Sequence, residues 1–412
     1  MFFYKMKKTV YAFFLSNMML RISVDAIIFS FLWFYLSDDT LLSGITYMVF
    51  RTLEIYLMPF SAYFPDKLGR KAVYNYCYIS VLICCLLAFI ALTVLESTLQ
   101  IIVSVVTCLL LGGVVSILPT NTTSLLHDRY GSRSKVAFRV GSIFASYKIF
   151  LSPIVGMLTT ISFGSLNTVM ISTVLVVIAF FIKEYALRNI ANIKSLDRVR
   201  FSDTFMSLFN SLSIKNEKVF IPTLAVINLL MTPFFMVSLP HNAANGLYPI
   251  PEFVVLLDIV FGLGIFITNK FIFKKISNRI SDNQAILIGL LLLALMLSFG
   301  SGDNVYMAPA MLFLGGLGLP LIVINITTIR VNNIPINKKS MYLSSLTFWS
   351  LFLNPISILI ISYMYKYDLA NNVQVVYSCI SFTILAYFFC NILTFSTDVI
   401  NQVKGQENEK NN

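Results

Sequence analysis

Twelve apolar stretches, each near or above the roughly 20 residues a helix needs to cross a bilayer, follow one another along this 412-residue chain. They lie near residues 9–36, 41–63, 72–95, 98–124, 137–162, 166–187, 219–239, 252–273, 283–300, 304–328, 341–365 and 373–396. In hydrocarbon every backbone N–H and C=O must be bonded internally, so such stretches fold as helices. With 57% hydrophobic residues, 12% charged residues and a mean hydropathy of +0.81, the chain has more apolar surface than a soluble core can hide. The first stretch follows Lys5, Lys7 and Lys8 and far exceeds the apolar core of a signal peptide, so it is expected to be retained. The expected fold class is an all-α polytopic membrane protein with 12 transmembrane helices.

The net charge of +11 raises the possibility of a nucleic-acid partner, which the distribution of the charge excludes. Basic residues fall in alternate loops: Lys67, Arg70 and Lys71; Arg129, Arg133, Lys135 and Arg139; Lys270, Lys274, Lys275 and Arg279; Arg330, Lys338 and Lys339. The loop near 188–218 adds Arg188, Lys194, Arg198, Arg200, Lys215 and Lys218. The opposite connections carry Asp38, Asp39, Glu96, Asp303 and Asp368, with Lys366 as their only cation. This is the positive-inside pattern, and it places both termini in the cytoplasm with an even number of spans. All six cysteines (Cys77, Cys84, Cys85, Cys108, Cys379, Cys390) fall inside apolar stretches and the two histidines are far apart, so neither a disulfide framework nor a metal site is expected.

The loop near 188–218 divides six stretches from six, and the halves echo each other. Gly112-Gly113, Pro119 and Asn121-Thr122-Thr123 in the fourth stretch match Gly315-Gly316, Pro320 and Asn325-Ile326-Thr327-Thr328 in the tenth. Ser152-Pro153-Ile154 in the fifth matches Asn354-Pro355-Ile356 in the eleventh. A duplicated chain is implied. Its expected units are an N-terminal bundle at 1–187, a cytoplasmic linker at 188–218, a C-terminal bundle at 219–397 and a disordered cytoplasmic tail at 398–412.

Between the second and third stretches stands Ala62-Tyr-Phe-Pro-Asp66-Lys67-Leu-Gly69-Arg70-Lys71. It resembles the loop between helices 2 and 3 of the major facilitator superfamily, roughly Gly-x-Leu-Ala-Asp-Arg-x-Gly-Arg-Lys, with five positions fitting once Lys67 is counted for Arg. With the 6+6 arrangement, the resemblance covers almost the whole chain. It implies two bundles related by a pseudo-two-fold axis, a solute site between them near the midplane, and transport by alternating access. In the family the equivalent of Asp66 meets the N-terminal end of helix 11, so Asp66, Gly69, Arg70 and Lys71 are expected to form a conformational latch. Their other reading is that the cations merely set topology. Ser152-Pro153-Ile-Val-Gly156-Met157 resembles the Gly-Pro-x-x-Gly-Gly motif of exporters in this superfamily, retaining only Pro153 and Gly156 for a helix-5 kink. Drug exporters of the family usually carry an Arg-x-x-Gln-Gly pattern in helix 4, where this chain has Cys108 and Leu111 before Gly112.

Six ionisable residues lie well inside the stretches: Arg21, Asp25, Arg51, Glu54, Lys148 and Asp258. Each costs about 2.5–3.5 kcal/mol at a helix centre, so such residues usually face a cavity or a partner. Arg21 and Asp25 are four apart and Arg51 and Glu54 three apart, each pair on one helical face. They either neutralise each other structurally, or Asp25 or Glu54 exchanges its arginine for a proton or a cationic solute. Lys148 and Asp258 are expected to pair, directly or through water, across the bundle interface as a gate, their depths differing by roughly 6 Å; alternatively Lys148 alone contacts an anionic solute and Asp258 faces outside water. Among the aromatics, Tyr147, Phe348, Trp349 and Phe352 are expected near an apolar cavity, and Trp33 and Tyr35 in an interfacial belt.

No Walker-type loop or nucleophile elbow is present, so neither ATP-driven transport nor catalysis is expected, and no cofactor. The leading expectation is a monomeric, multi-pass protein of a bacterial inner membrane, exporting an amphipathic small molecule by proton-coupled efflux as an antiporter. The partners would be that small-molecule substrate, protons and the lipid bilayer. The alternatives are proton-coupled uptake of an anionic metabolite, or a transporter-like sensor or immunity protein that binds without net transport.

Overall fold

The computed structural model describes residues 2–36, 39–61, 63–130, 144, 148, 151–152, 154–188, 201–214, 216–272, 279–300, 306–334, 339–367 and 369–410. The first helices are α1 (Phe2–Leu36), α2 (Thr40–Tyr56), the short α3 (Tyr63–Leu68), α4 (Arg70–Thr93) and α5 (Ser97–Tyr130). After them come α6 (Ile154–Phe163), α7 (Ser165–Leu187) and α8 (Phe201–Asn210). The remainder are α9 (Glu217–Ala244), α10 (Phe253–Ile272), α11 (Asp282–Phe299), α12 (Met307–Asn333), α13 (Lys339–Leu351), α14 (Asn354–Lys366) and α15 (Ala370–Lys410).

Among the described residues, 11 segments are long and apolar enough to cross a membrane. The expected stretch at 137–162 falls largely outside the described residues and contributes only the shorter α6. The chain is an all-α polytopic membrane protein. Helical backbone continues to Lys410, through the segment for which disorder is expected; its Gln, Lys and Glu residues are good helix formers.

Local chemistry sets the boundaries. Asp39 caps α2, its carboxylate accepting from the Leu41 N–H at 2.8 Å. Ser281 and Gln284 form a reciprocal capping box on α11. Gly69, at φ +93°, makes the turn from α3 into α4, and Gly164, at φ +88°, makes the turn from α6 into α7. Three helices carry a π-turn, at Ile154–Leu158, Phe234–Ser238 and Thr268–Ile272. The second directly follows Pro233, which has no N–H to give the helical ladder.

Contacts fall into two groups. Helix α1 packs on α7, α5 on α2 and α4, and α4 on α7; in the second group α12 packs on α10 and α11, α9 on α13 and α14, and α15 on α9 and α11. One glycine of each Gly-Gly pair serves the same purpose, Gly112 in the first group and Gly316 in the second. A Cβ on Gly112 would strike the Phe50 carbonyl of α2, and one on Gly316 would strike the Phe261 carbonyl of α10. Small residues here let two helical backbones touch, which is where helix association in lipid draws its van der Waals energy. The residues before the repeated prolines also match. Ser152 donates to Asp25 of α1 at 2.9 Å, and Asn354 donates to Thr232 of α9 at 2.9 Å.

Between the groups, α2 runs antiparallel to α13 and α14 along its whole length. Asp39 meets Lys366, Gly44 meets Ser362, and Tyr56 meets Phe348 and Phe352. A second crossing joins the π-turn of α6 to α10. Away from the seam the helices expose Tyr76, Ile79, Ile83, Leu86, Val174 and Phe181, an apolar surface suited to acyl chains.

The close approach of α10 and α12 makes a prediction. Gly316→Val is expected to cost about 1–3 kcal/mol by overpacking, read as a lower unfolding midpoint in detergent. Gly113→Ala, whose nearest foreign atom lies at 3.6 Å, is expected to stay within about 0.5 kcal/mol of wild type.

Candidate functional site

A cavity of about 310 Å³ lies where the two groups of helices face each other. Arg21, Asp25, Ile28, Phe29 and Leu32 of α1, Tyr47 and Phe50 of α2, Lys148, Ser152 and the π-turn residues Gly156 and Met157 form one wall. Met236 of α9 and Asp258, Phe261 and Ile265 of α10 form the other. Phe50 and Phe261 occupy equivalent places, since each offers its carbonyl to the repeated glycine of its own group. The π-turn brings Gly156 so close to Ala26 of α1 that a Cβ would lie 3.2 Å from the Ala26 Cα. That approach seats Ser152 and Lys148 beside Asp25.

Five of the six expected ionic residues form one continuous chain. Lys148 Nζ lies 3.1 Å from Asp25 Oδ2, and Arg21 Nε lies 3.1 Å from Asp25 Oδ1. Arg21 Nη2 reaches Glu54 Oε1 at 3.6 Å, and Arg51 Nη1 reaches Glu54 Oε2 at 2.5 Å. Arg21 thus ties the two pairs seen in the sequence into a single network. Three cations stand against two carboxylates, leaving this wall one positive charge in excess.

The expected direct pairing of Lys148 with Asp258 is corrected. Lys148 pairs with Asp25, because the α6 π-turn packs on α1 and turns the preceding residues toward that helix. Asp258 faces the same cavity from the opposite wall, and among the described residues it has no ion pair and no hydrogen bond.

Other expectations divide. Gly69 makes its turn, and Arg70 and Lys71 open α4; the Asp66 side chain and Pro153 lie outside the described residues, as does Tyr147. Phe348, Trp349 and Phe352 do not line the cavity; they cluster with Tyr56 and Phe209. Tyr35 is buried rather than interfacial, its hydroxyl 2.9 Å from Ser104 of α5, and Trp33 stacks on Phe29.

Two ionic features escaped the sequence reading. Glu217 and Arg330 form a buried bidentate pair at 2.8 and 2.7 Å, joining the start of α9 to the end of α12. Lys183 is fully buried on α7, bonded to Asn75 at 2.7 Å and Glu184 at 2.6 Å, with the Phe180 ring 4.1 Å away. Both sit near the ends of apolar stretches, where a charge looks like a loop residue. Among the described residues no group of three His, Cys, Asp or Glu could hold a metal ion.

At one end of the seam Asp39 pairs with Lys366 at 2.7 Å, and Thr40 Oγ1 lies 3.1 Å from His241 Nδ1, whose ring packs on Tyr365 at 4.2 Å. Partial burial raises the affinity of the Asp39 carboxyl for a proton, and the hydrogen bonds from Lys366 and from the Leu41 N–H more than offset it, leaving its pKa below the ordinary value.

No protein-family model matches the sequence, and no curated protein matches it. Solved structures do match in fold. A peptide transporter (POT) in complex with sulfate is 13% identical, with 95% of each chain covered and a TM-score of 0.70. The nucleoside transporter NupG is 12% identical, covering 93% of this chain and 98% of its own, with a TM-score of 0.69. A POT family transporter in complex with 5-aminolevulinic acid is 12% identical, covering 95% and 96%, with a TM-score of 0.68. The chain therefore shares the polytopic all-α fold of these solved structures. The expectation of efflux by an antiporter is corrected: these structures are described as transporters of peptides and nucleosides, and none of them as a drug exporter.

Two outcomes follow from this geometry. In alanine double-mutant cycles on unfolding, Lys148 and Asp25 are expected to couple by about 0.5–3 kcal/mol, clearly more than Lys148 and Asp258. For Asp39 the lowered folded pKa means that its contribution is present above the ordinary carboxylate pKa of about 4 and is lost as pH falls through the lower folded value. Asp39→Asn should accordingly shift the melting temperature equally at pH 6 and pH 8.

Proposed function

We propose that this chain is a non-enzymatic secondary transporter that takes up a small organic solute bearing an anionic group, together with protons, by alternating access. The observation that carries the reading is the cavity itself. One wall holds an ion chain with a spare positive charge, and the other holds a carboxyl without a cation among the described residues.

The chemistry follows from the cost of charge in a low-dielectric cavity. An anionic group entering beside Lys148 and Arg21 competes with Asp25 for both cations and satisfies the excess positive charge. Each proton that enters cancels one negative charge of the loaded cavity. Protonating Asp25 or Glu54 weakens ion pairs already made, whereas protonating Asp258 breaks none. Asp258 is thus the proton carrier, with Asp25 and Glu54 responding as the network reorganises. A solute that also carries an amine would present it to ionised Asp258. The solved structure with 5-aminolevulinic acid, a compound with both groups, supports such a solute.

In this reading 1–187 and 219–397 rock as two bundles about the cavity, with 188–218 connecting them. The contacts of Asp39 with Lys366, Thr40 with His241 and Gly44 with Ser362 part when the cavity opens to that side, and those around Tyr56 part for the other. Asp66, Gly69, Arg70 and Lys71 are proposed to latch the second end. Both termini are cytoplasmic in a cell inner membrane, and one chain encloses the whole cavity, so a monomer suffices.

Reconstitution in proteoliposomes with an imposed pH gradient tests this. Anionic or zwitterionic solutes should accumulate toward the alkaline side, while purely cationic ones should not. Asp258→Asn should abolish gradient-driven accumulation yet retain solute exchange without a gradient. Accumulation indifferent to the pH gradient, or confined to cations, would overturn the proposal.

A further inference from the structure

Helix α8 lies in the segment expected to be a cytoplasmic linker, yet its surface is the reverse of a water-facing helix. Thr204 and Ser207, in its middle, are buried, as is Ser211 just beyond its end, while the polar Ser202 and Asn210 near its ends are exposed. Three large apolar residues are outside, Phe205 52%, Met206 63% and Phe209 55% exposed, while Leu208 is buried on the opposite side. These three share one face of the helix, at spacings of one and four residues.

The hydrogen bonds fix its depth. Ser207 Oγ lies 3.0 Å from Ser345 Oγ, and Trp349 donates its indole N–H to the Leu208 carbonyl at 2.9 Å. Ser345 and Trp349 belong to the membrane-spanning segment Met341–Lys366. They lie four and eight residues past its start, or roughly 6 and 12 Å along a helix axis. The Phe209 ring rests edge-on against the Trp349 ring, at 6.4 Å between centroids. Helix α8 also packs on the turn Met58–Phe60, where the span Thr40–Phe60 ends. It therefore bridges both groups of helices at the Tyr56 end of the seam, within the length of the spans.

We infer that α8 is a membrane-embedded strap: the face formed by Phe205, Met206 and Phe209 is seated in the acyl-chain boundary of the bilayer and joins the ends of α2 and α13. Acyl chains are the occupant because the face continues the apolar surface of the spans at their own depth. The charges beside it suit lipid headgroups: Lys218 is exposed, and Arg198, Arg200 and Lys215 flank the helix in sequence. An interfacial helix places its apolar face about 5–10 Å into the headgroup–acyl boundary. The inference is independent of the solute and of the coupling ion.

The test places an environment-sensitive fluorophore at Met206→Cys in a Cys379→Ser, Cys390→Ser background, reconstituted in phosphatidylcholine vesicles with or without brominated acyl chains. Emission should be blue-shifted and fall by roughly half or more with the brominated lipid, while aqueous iodide quenches it little. The same probe at Asn283→Cys, on the exposed start of α11, should respond in the opposite sense. Should the cysteine variants fail to fold, the unmodified protein in the same vesicles is photolabelled with a lipid-soluble carbene reagent and its peptides are mapped. Label on residues 205–209 supports the strap. Iodide quenching at position 206, or a segment 201–213 left unlabelled while α4 and α7 are labelled, would overturn it.

Discussion

A charge inside a bilayer has to be answered within a few ångströms, and the chain Lys148–Asp25–Arg21–Glu54–Arg51 is how this protein answers five of them. Neither α1 nor α2 achieves it alone. Arg21 reaches from one helix to the carboxylate of the other, and Lys148 arrives from a third segment. The close approach of Gly156 to Ala26 and of Gly112 to α2 is what permits these distances. Packing by small residues and pairing of ions are thus one arrangement, since each is possible only at the separation the other requires.

The second group of helices makes similar close contacts, but its buried ion pair, Glu217–Arg330, joins the start of α9 to the end of α12 and is not among the residues lining the cavity. Gly316 seats α12 on α10 as Gly112 seats α5 on α2, and Asn354 reaches Thr232 as Ser152 reaches Asp25. Where the first group has a carboxylate at that contact, the second has a hydroxyl. Among the described residues the cavity is consequently asymmetric in charge. Among the described residues, Asp258 is the carboxyl that the second wall contributes to its lining.

The seam is held differently at its two ends. The Asp39 end relies on polar contacts that are partly exposed, among them an ion pair of the kind that contributes little in water. The Tyr56 end relies on aromatic packing of Tyr56, Phe348, Trp349 and Phe352, buttressed by α8. Polar contacts trade readily for water, whereas apolar ones part only if lipid or another side chain replaces them.

Much of the fold was legible in the sequence because bilayer thickness and backbone hydrogen bonding leave a long apolar run one conformation. Eleven of the expected spans are present as long helices, and one glycine of each Gly-Gly pair, and the residue before each of Pro153 and Pro355, make similar contacts. The intrahelical pairs Arg21–Asp25 and Arg51–Glu54 were legible too, since helical spacing alone puts such residues on one face. Partners on different helices were not. Lys148 chose Asp25 over Asp258, Glu217 found Arg330, and α8 turned Phe205 and Phe209 outward. Sequence order carries the periodicity of one helix, but the rotation and depth of a helix against its neighbours are set by which small residues touch. Those contacts exist only once the helices have assembled.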